Sequence, residues 1–132
     1  MRFLLDTNIC IYIAKHTPPS VKARFLQHRA QDLAMSIITL GELQFGAEKS
    51  QHKTHALAVI EQLSRVMEIL PLSANAAIHY GQIRAHLQKE GQIIGNNDLW
   101  IAAHARSEGC TLVSNNTREF MRVPELKFEN WV

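Results

Sequence analysis

Short apolar runs alternate along this chain with longer segments in which apolar residues recur every three or four positions. The first kind predicts buried strands and the second amphipathic helices. Their alternation predicts an α/β fold with a central, mostly parallel sheet. RFLLD, at residues 2–6, predicts a first strand ending at Asp6. A helix follows over about Ile9 to Lys15, and a second over about Ser20 to Arg29, after the break at Pro18 and Pro19. LAMS, at residues 33–36, is a second short strand.

The next helix, roughly Ile37 to Lys49, carries Ile37, Leu40, Gln44 and Ala47 on one side and Ile38, Glu42 and Phe45 on the other. Apolar residues on two sides predict burial on two sides, with Glu42 inside one of the apolar stripes. A helix from about Thr54 to Arg65 leads to MEIL, a third strand stopped by Pro71. Ala76, Tyr80, Ile83 and Leu87 mark an amphipathic helix ending near Gly91. DLWIAAHARSEG places Asp98, Ile101, Ala102 and Ala105 on one helical face, and TLVSNN is the most strand-like run of all. REF and then PELKFENW close the chain with a short turn of helix and an edge strand.

A length of 132 residues allows one core, so residues 1–132 are read as a single domain. A composition 46% hydrophobic and 20% charged excludes disordered and fibrous classes. The net charge of +2 is too small for nucleic-acid binding by bulk charge, so any such contact needs a local arrangement of Lys and Arg. Cys10 and Cys110 lie in apolar surroundings and read as buried free thiols of a reducing compartment. Asp6 and Asn8 interrupt the first apolar stretch too early for a signal peptide, and no other run is long enough to span a bilayer. The expectation is a soluble, cytoplasmic protein with no membrane partner.

Placed on this skeleton, the acidic residues converge. Asp6 ends the first strand, Glu42 and Asp98 lie in apolar helix stripes, and Asn115, Asn116 and Glu119 follow the last strong strand. Ligands of open parallel sheets bind outside the carboxyl ends of the strands. Carboxylates gathered there raise one another's pKa unless a cation binds among them, and oxygen ligands without His or Cys favour magnesium or manganese. Such a site activates water and neutralises phosphate charge, as in metal-dependent nucleases. Each residue also has a structural reading. Asp6 and Asp98 suit helix N-caps, Glu42 a salt bridge, and Asn116 with Glu119 a capping box.

Four segments carry a resemblance: FLLDTN, SIITLGELQFGAEKS, IGNNDLWIAAHA and TLVSNNTREF. In this order and spacing they resemble the PIN-domain ribonucleases, and more narrowly the VapC toxins of bacterial toxin–antitoxin pairs. The resemblance runs from Arg2 to Trp131. It implies a three-layer α/β/α PIN-like domain around a mostly parallel sheet, with acids coordinating magnesium or manganese. It further implies RNA cleavage, with transfer RNA as the expected substrate class, and a homodimer. A cognate antitoxin, itself a DNA-binding protein, would wrap the toxin and reach its active site. Position by position, Asp6, Glu42 and Asp98 match the family's acidic core, and Thr7 and Asn8 match the polar residues supporting the first aspartate. Where many PIN domains have a further Asp, this chain has Asn115 and Asn116. Glu119 is the nearest carboxylate to serve there, with Asn116 orienting it. The alternative within the same resemblance is a catalytically weak PIN domain that binds RNA or a partner.

Other chemistries find little support. His52 and His55 stand at i, i+3 on a polar stretch without further zinc ligands, and His79, His86 and His104 read as surface or packing residues. Ser36, Cys10 and Cys110 lack a nucleophile context, and no glycine-rich phosphate loop occurs. A receiver-type domain also has acids at the first strand's end but needs a phosphorylatable Asp at the end of a central strand and a Lys near a later one, whereas MEIL ends in Pro71 and TLVSNN in asparagines. Lys49, Lys53, Arg84, Lys89, Arg106 and Arg118 are candidates for holding RNA phosphates, with a solvated helix face as the simpler role. Trp100 is read as a core residue with base stacking as the alternative.

Overall fold

The computed structural model describes residues 2–132. Five strands form one sheet: β1 (Phe3–Leu5), β2 (Leu33–Ser36), β3 (Glu68–Leu70), β4 (Thr111–Val113) and β5 (Phe128–Glu129). Their order is β3-β2-β1-β4-β5, and every pairing is parallel. The helices are α1 (Thr7–Lys15), α2 (Pro19–Leu26), α3 (Ile37–Glu48), α4 (Lys53–Val66), α5 (Ala74–Lys89), α6 (Asn96–Glu108) and α7 (Thr117–Phe120). Helix α2 stops at Leu26, short of the expected Arg29, and a short 3-10 turn, Ala30–Asp32, precedes β2.

The alternation of β1 divides the interior in two. Phe3 and Leu5 point into a cluster with Ile9, Val21, Leu43, Ile60, Leu63 and Trp131. Leu4 points the other way, towards Ile83, Leu87, Leu99, Ile101 and Phe120. Helices α1 to α4 cover the first face, while α5, α6 and α7 cover the second. This is the expected three-layer sandwich, and a parallel sheet needs both covers because its central strands are apolar on both faces. No helix among the described residues is long and apolar enough to cross a membrane. Cys10 and Cys110 are buried free thiols, and burial pushes both thiols above the ordinary cysteine range.

One local expectation is corrected. The helix α3 is not buried on two sides: its buried line is Thr39, Leu43 and Ala47. Phe45 is 65% exposed and Ile37 40% exposed, and Glu42 is half-buried beside them. The chain has too few elements to cover a second face of α3, so that stripe borders solvent and the site instead of a core.

The chain order doubles back at β1. From β1 the sheet grows through β2 to β3, and the chain then crosses to β4 on the opposite side of β1. The carboxyl ends of β1 and β4 therefore flank a crevice, the place where doubly wound sheets bind ligands.

Candidate active site

Asp6 follows β1 and is itself buried. Its Oδ1 accepts from the Ile9 amide at 3.1 Å, so it caps α1. Capping and site membership are thus one geometry, since the cap holds the carboxylate at the sheet edge. Burial raises the Asp6 pKa, the Ser114 hydroxyl and the Ile9 and Asn8 amides oppose that rise, and the charge of Glu42 adds to it. Ser114, directly after β4, also accepts from the Asn116 amide at 2.9 Å. It thereby ties the β4 turn to Asp6. The sequence reading passed over Ser114, because a serine after a strand carries no pattern of its own.

Glu42 reaches the same crevice from the middle of α3. The Thr7 hydroxyl donates to its Oε1 at 2.6 Å, and Asn97 Nδ2 donates to its Oε2 at 3.4 Å. Thr7 therefore braces Glu42 through its side chain and not Asp6, as the sequence suggested. The Asn8 side chain turns to Asn115 at 3.3 Å, and Asn115 donates on to Tyr12 at 3.1 Å. Among the described residues Glu42 has no cationic partner, so its reading as one half of a salt bridge is not met.

Asp98 lies in the first turn of α6, not at its cap, which is Gly95 with no side-chain hydrogen bond. Without a capping side chain, Asn96 and Asn97 are free to reach Tyr80 and Glu42 respectively. The Asp98 carboxyl is pushed from its ordinary value of 3.8 up to about 7. Burial is the largest cause, followed by the hydrogen bond and charge of Glu119, then the charges of Glu42 and Asp6.

Glu119 sits in α7, whose N-cap position is Asn116. Asn116 makes no cap with its side chain. Its Nδ2 instead donates to Glu119 Oε2 at 3.0 Å and to Asp98 Oδ2 at 3.4 Å. A capping box would have directed these groups at backbone amides. The four acids thus stand near one another, with Asn116 bridging Asp98 and Glu119, Thr7 and Asn97 holding Glu42, and Ser114 holding Asp6.

The donor set suits a hard divalent cation. Every donor is oxygen, the acids repel one another, and no Lys or Arg among the described residues pairs with any of them. Among those residues no three acids close tightly enough to cage an ion alone.

Several of the remaining candidates are engaged elsewhere. Lys53 pairs with Glu48 at 2.8 Å, and Arg106 is held by His79, Gln82 and the Pro124 carbonyl. Arg84 donates to Tyr80, which stacks on half-buried Trp100 at 3.9 Å. His104 is fully buried, and its Nδ1 lies 2.8 Å from Ser36 Oγ. That contact joins the helix of Asp98 to the cap of the helix carrying Glu42.

A family model described as PIN domain matches residues 3–126. Ribonuclease VapC2 of Haemophilus influenzae is 49% identical over 132 residues, covering 100% of this chain and 99% of that one. The tRNA(fMet)-specific endonuclease VapC of Shigella flexneri is 48% identical, covering 99% of this chain and 98% of its own. Among solved structures, VapBC2 from Rickettsia felis, bound to a DNA fragment from its promoter, superposes with a TM-score of 0.92. It is 40% identical, and the match covers 100% of both chains. DNA-bound VapBC from Salmonella typhimurium gives a TM-score of 0.93 at 43% identity, covering 100% of this chain and 99% of that one. This chain therefore belongs to the PIN-domain family and, within it, to the VapC ribonucleases.

Proposed function

We propose that this chain is an endoribonuclease toxin that hydrolyses RNA with magnesium or manganese held among Asp6, Glu42, Asp98 and Glu119. The observation that carries the reading is the convergence of Asp6, Glu42, Asp98 and Glu119, held by Ile9, Thr7, Asn97 and Asn116, with no Lys or Arg among the described residues paired to any of them. A protein that keeps such a cluster unpaired keeps it for a positive ligand. When bound, the ion supplies Lewis-acid polarisation of a phosphate and a water of lowered pKa.

The chain's own groups define the rest. The Ile9 amide and Ser114 hydroxyl hold Asp6 in place and favour its ionised form. Thr7 and Asn97 fix the Glu42 carboxylate in one orientation. Burial and the neighbouring Glu119 favour the protonated form of Asp98, and a cation bound there would displace that proton. Asn116 supplies a donor to both acids where a further aspartate would have added charge.

The relatives named as a tRNA(fMet)-specific endonuclease and the solved VapBC complexes support a transfer-RNA substrate and a cognate antitoxin. An apolar groove of about 380 Å3 between α1, α3 and α4, lined by Ile11, Leu43, Ala47, Val59 and Leu63, offers the antitoxin a helical docking face. A homodimer is part of the same proposal. The test is cleavage of bacterial RNA with magnesium, manganese or EDTA. Cleavage with either metal and none in EDTA is expected, and full activity in EDTA would sink the metal mechanism.

A further inference from the structure

The fold leaves open a second cavity, on the solvent side of Glu42. It measures about 760 Å3 and is lined by Thr7, Ile11, Ile37, Phe45, Lys49 and Asn97, with Glu42 at its edge. It therefore opens directly on the acidic site. Phe45 is 65% exposed in this wall, although an aromatic ring left in water sacrifices the free energy of burial. The Lys49 ammonium stands 4.8 Å from the Phe45 ring centroid. Lys53, one turn further on, is neutralised by Glu48, whereas Lys49 meets no carboxylate among the described residues.

We infer that this cavity is a nucleotide subsite: Phe45 stacks on an unpaired RNA base flanking the scissile bond, and Lys49 holds an adjacent phosphate. The inference rests on the ribonuclease reading above and deepens it. An exposed aromatic ring beside a cation that meets no carboxylate is the combination by which proteins grip single-stranded nucleic acid, because every base has a π-face and every linkage a charge. An apolar protein segment would use the ring and Ile37 but would leave the ammonium without a partner. Continuity with Thr7, Glu42 and Asn97 would place the bound nucleotide beside Glu42, at the border of the acidic site. Neither Phe45 nor Lys49 contributes a side chain to the core, so their substitution leaves folding untouched.

The experiment is steady-state cleavage, in magnesium, of a bacterial transfer-RNA pool by the wild type and by Phe45→Ala, Phe45→Trp, Lys49→Gln and Lys49→Arg. Loss of one stacked base in Phe45→Ala should raise KM about tenfold. Because the contact binds substrate and transition state alike, kcat should stay within about twofold. Phe45→Trp should restore KM, which a merely structural ring would not require. Lys49→Gln should lower the slope of log KM against log salt by about 0.7, the value for one phosphate of a single strand, while Lys49→Arg keeps it. Melting temperature and the magnesium midpoint should not move in any variant. If the wild type cuts RNA and both Phe45→Ala and Lys49→Gln share its KM, the subsite is overturned and the ribonuclease reading stands. If these variants instead lose affinity only for a protein inhibitor, the face belongs to a protein and the assignment is equally overturned. A wild type that cuts no RNA in the pool overturns both.

Discussion

Asp98→Asn should stabilise the metal-free protein while abolishing its activity. The wild-type carboxyl rises from 3.8 to about 7 on folding. The folded state therefore binds more protons than the unfolded one between those values, and stability present below pH 4 is lost as pH climbs through 7. Asn reproduces the protonated acid: its amide can donate to Glu119 as the carboxyl proton does, and it cannot ionise. Each tenfold in the proton equilibrium is about 1.4 kcal/mol, so the whole rise corresponds to about 4 kcal/mol. Asp98 is only half-buried, and solvent screening reduces the realised difference to about 1–2 kcal/mol. For a domain of this size that is roughly 4–8 °C in melting temperature at pH 8. The assay is thermal unfolding of both proteins in EDTA from pH 4 to pH 8. Wild type and variant should agree near pH 4 and diverge above pH 6, with the variant higher. Because the charges of Glu119, Glu42 and Asp6 act on Asp98, the difference between the curves reports its ionisation together with that crowding. Saturating magnesium should reverse the order, because only the wild type retains the carboxylate that binds it. Parallel curves across the whole range in EDTA would refute the claim that acidic crowding strains the empty site.

The other predictions follow from the same geometry. Manganese at a hundredfold excess over its dissociation constant should stabilise the wild type by about 2.7 kcal/mol in a thermal melt, and no shift would exclude a native-state metal site. Glu119→Gln should raise the magnesium midpoint for RNA cleavage by roughly 10–100-fold, with a smaller rise for Asn116→Ala; unchanged midpoints would return Glu119 to a purely structural role. Asp6→Asn should lose cleavage yet keep the α1 cap, since the Asn side-chain oxygen still accepts from Ile9, so circular dichroism should match the wild type and chemical unfolding in EDTA should show no loss of stability. His104→Ala should cost about 2–3 kcal/mol in urea unfolding, from the cavity and the lost Ser36 partner; a cost under about 0.5 kcal/mol would show that the buried imidazole does not hold α6 to α3.

Much of this molecule is legible in its sequence, for a physical reason. Continuous apolar runs such as FLL and LAMS have no stable place except a strand covered on both faces, and helical periodicity names the covers. That suffices for the three-layer architecture, the strand ends and the convergence of Asp6, Asp98 and Asn116 on one edge. Local pattern could not say what covers a given helix face. The Ile38–Glu42–Phe45 stripe has the spacing of a buried face, yet its exposure depends on how many elements the whole chain can place around α3. Nor could it choose between partners for a side chain. Asn116 before Thr-Arg-Glu is compatible with a capping box until α6 is packed beside it, when its amide turns to Asp98 and Glu119 instead. Thr7 follows Asp6 in sequence but hydrogen-bonds across the crevice to Glu42, 35 positions along the chain. Burial, charge crowding and the cavity beside Phe45 depend on distances between segments far apart in sequence, and those distances exist only once the sheet has brought the strand ends together.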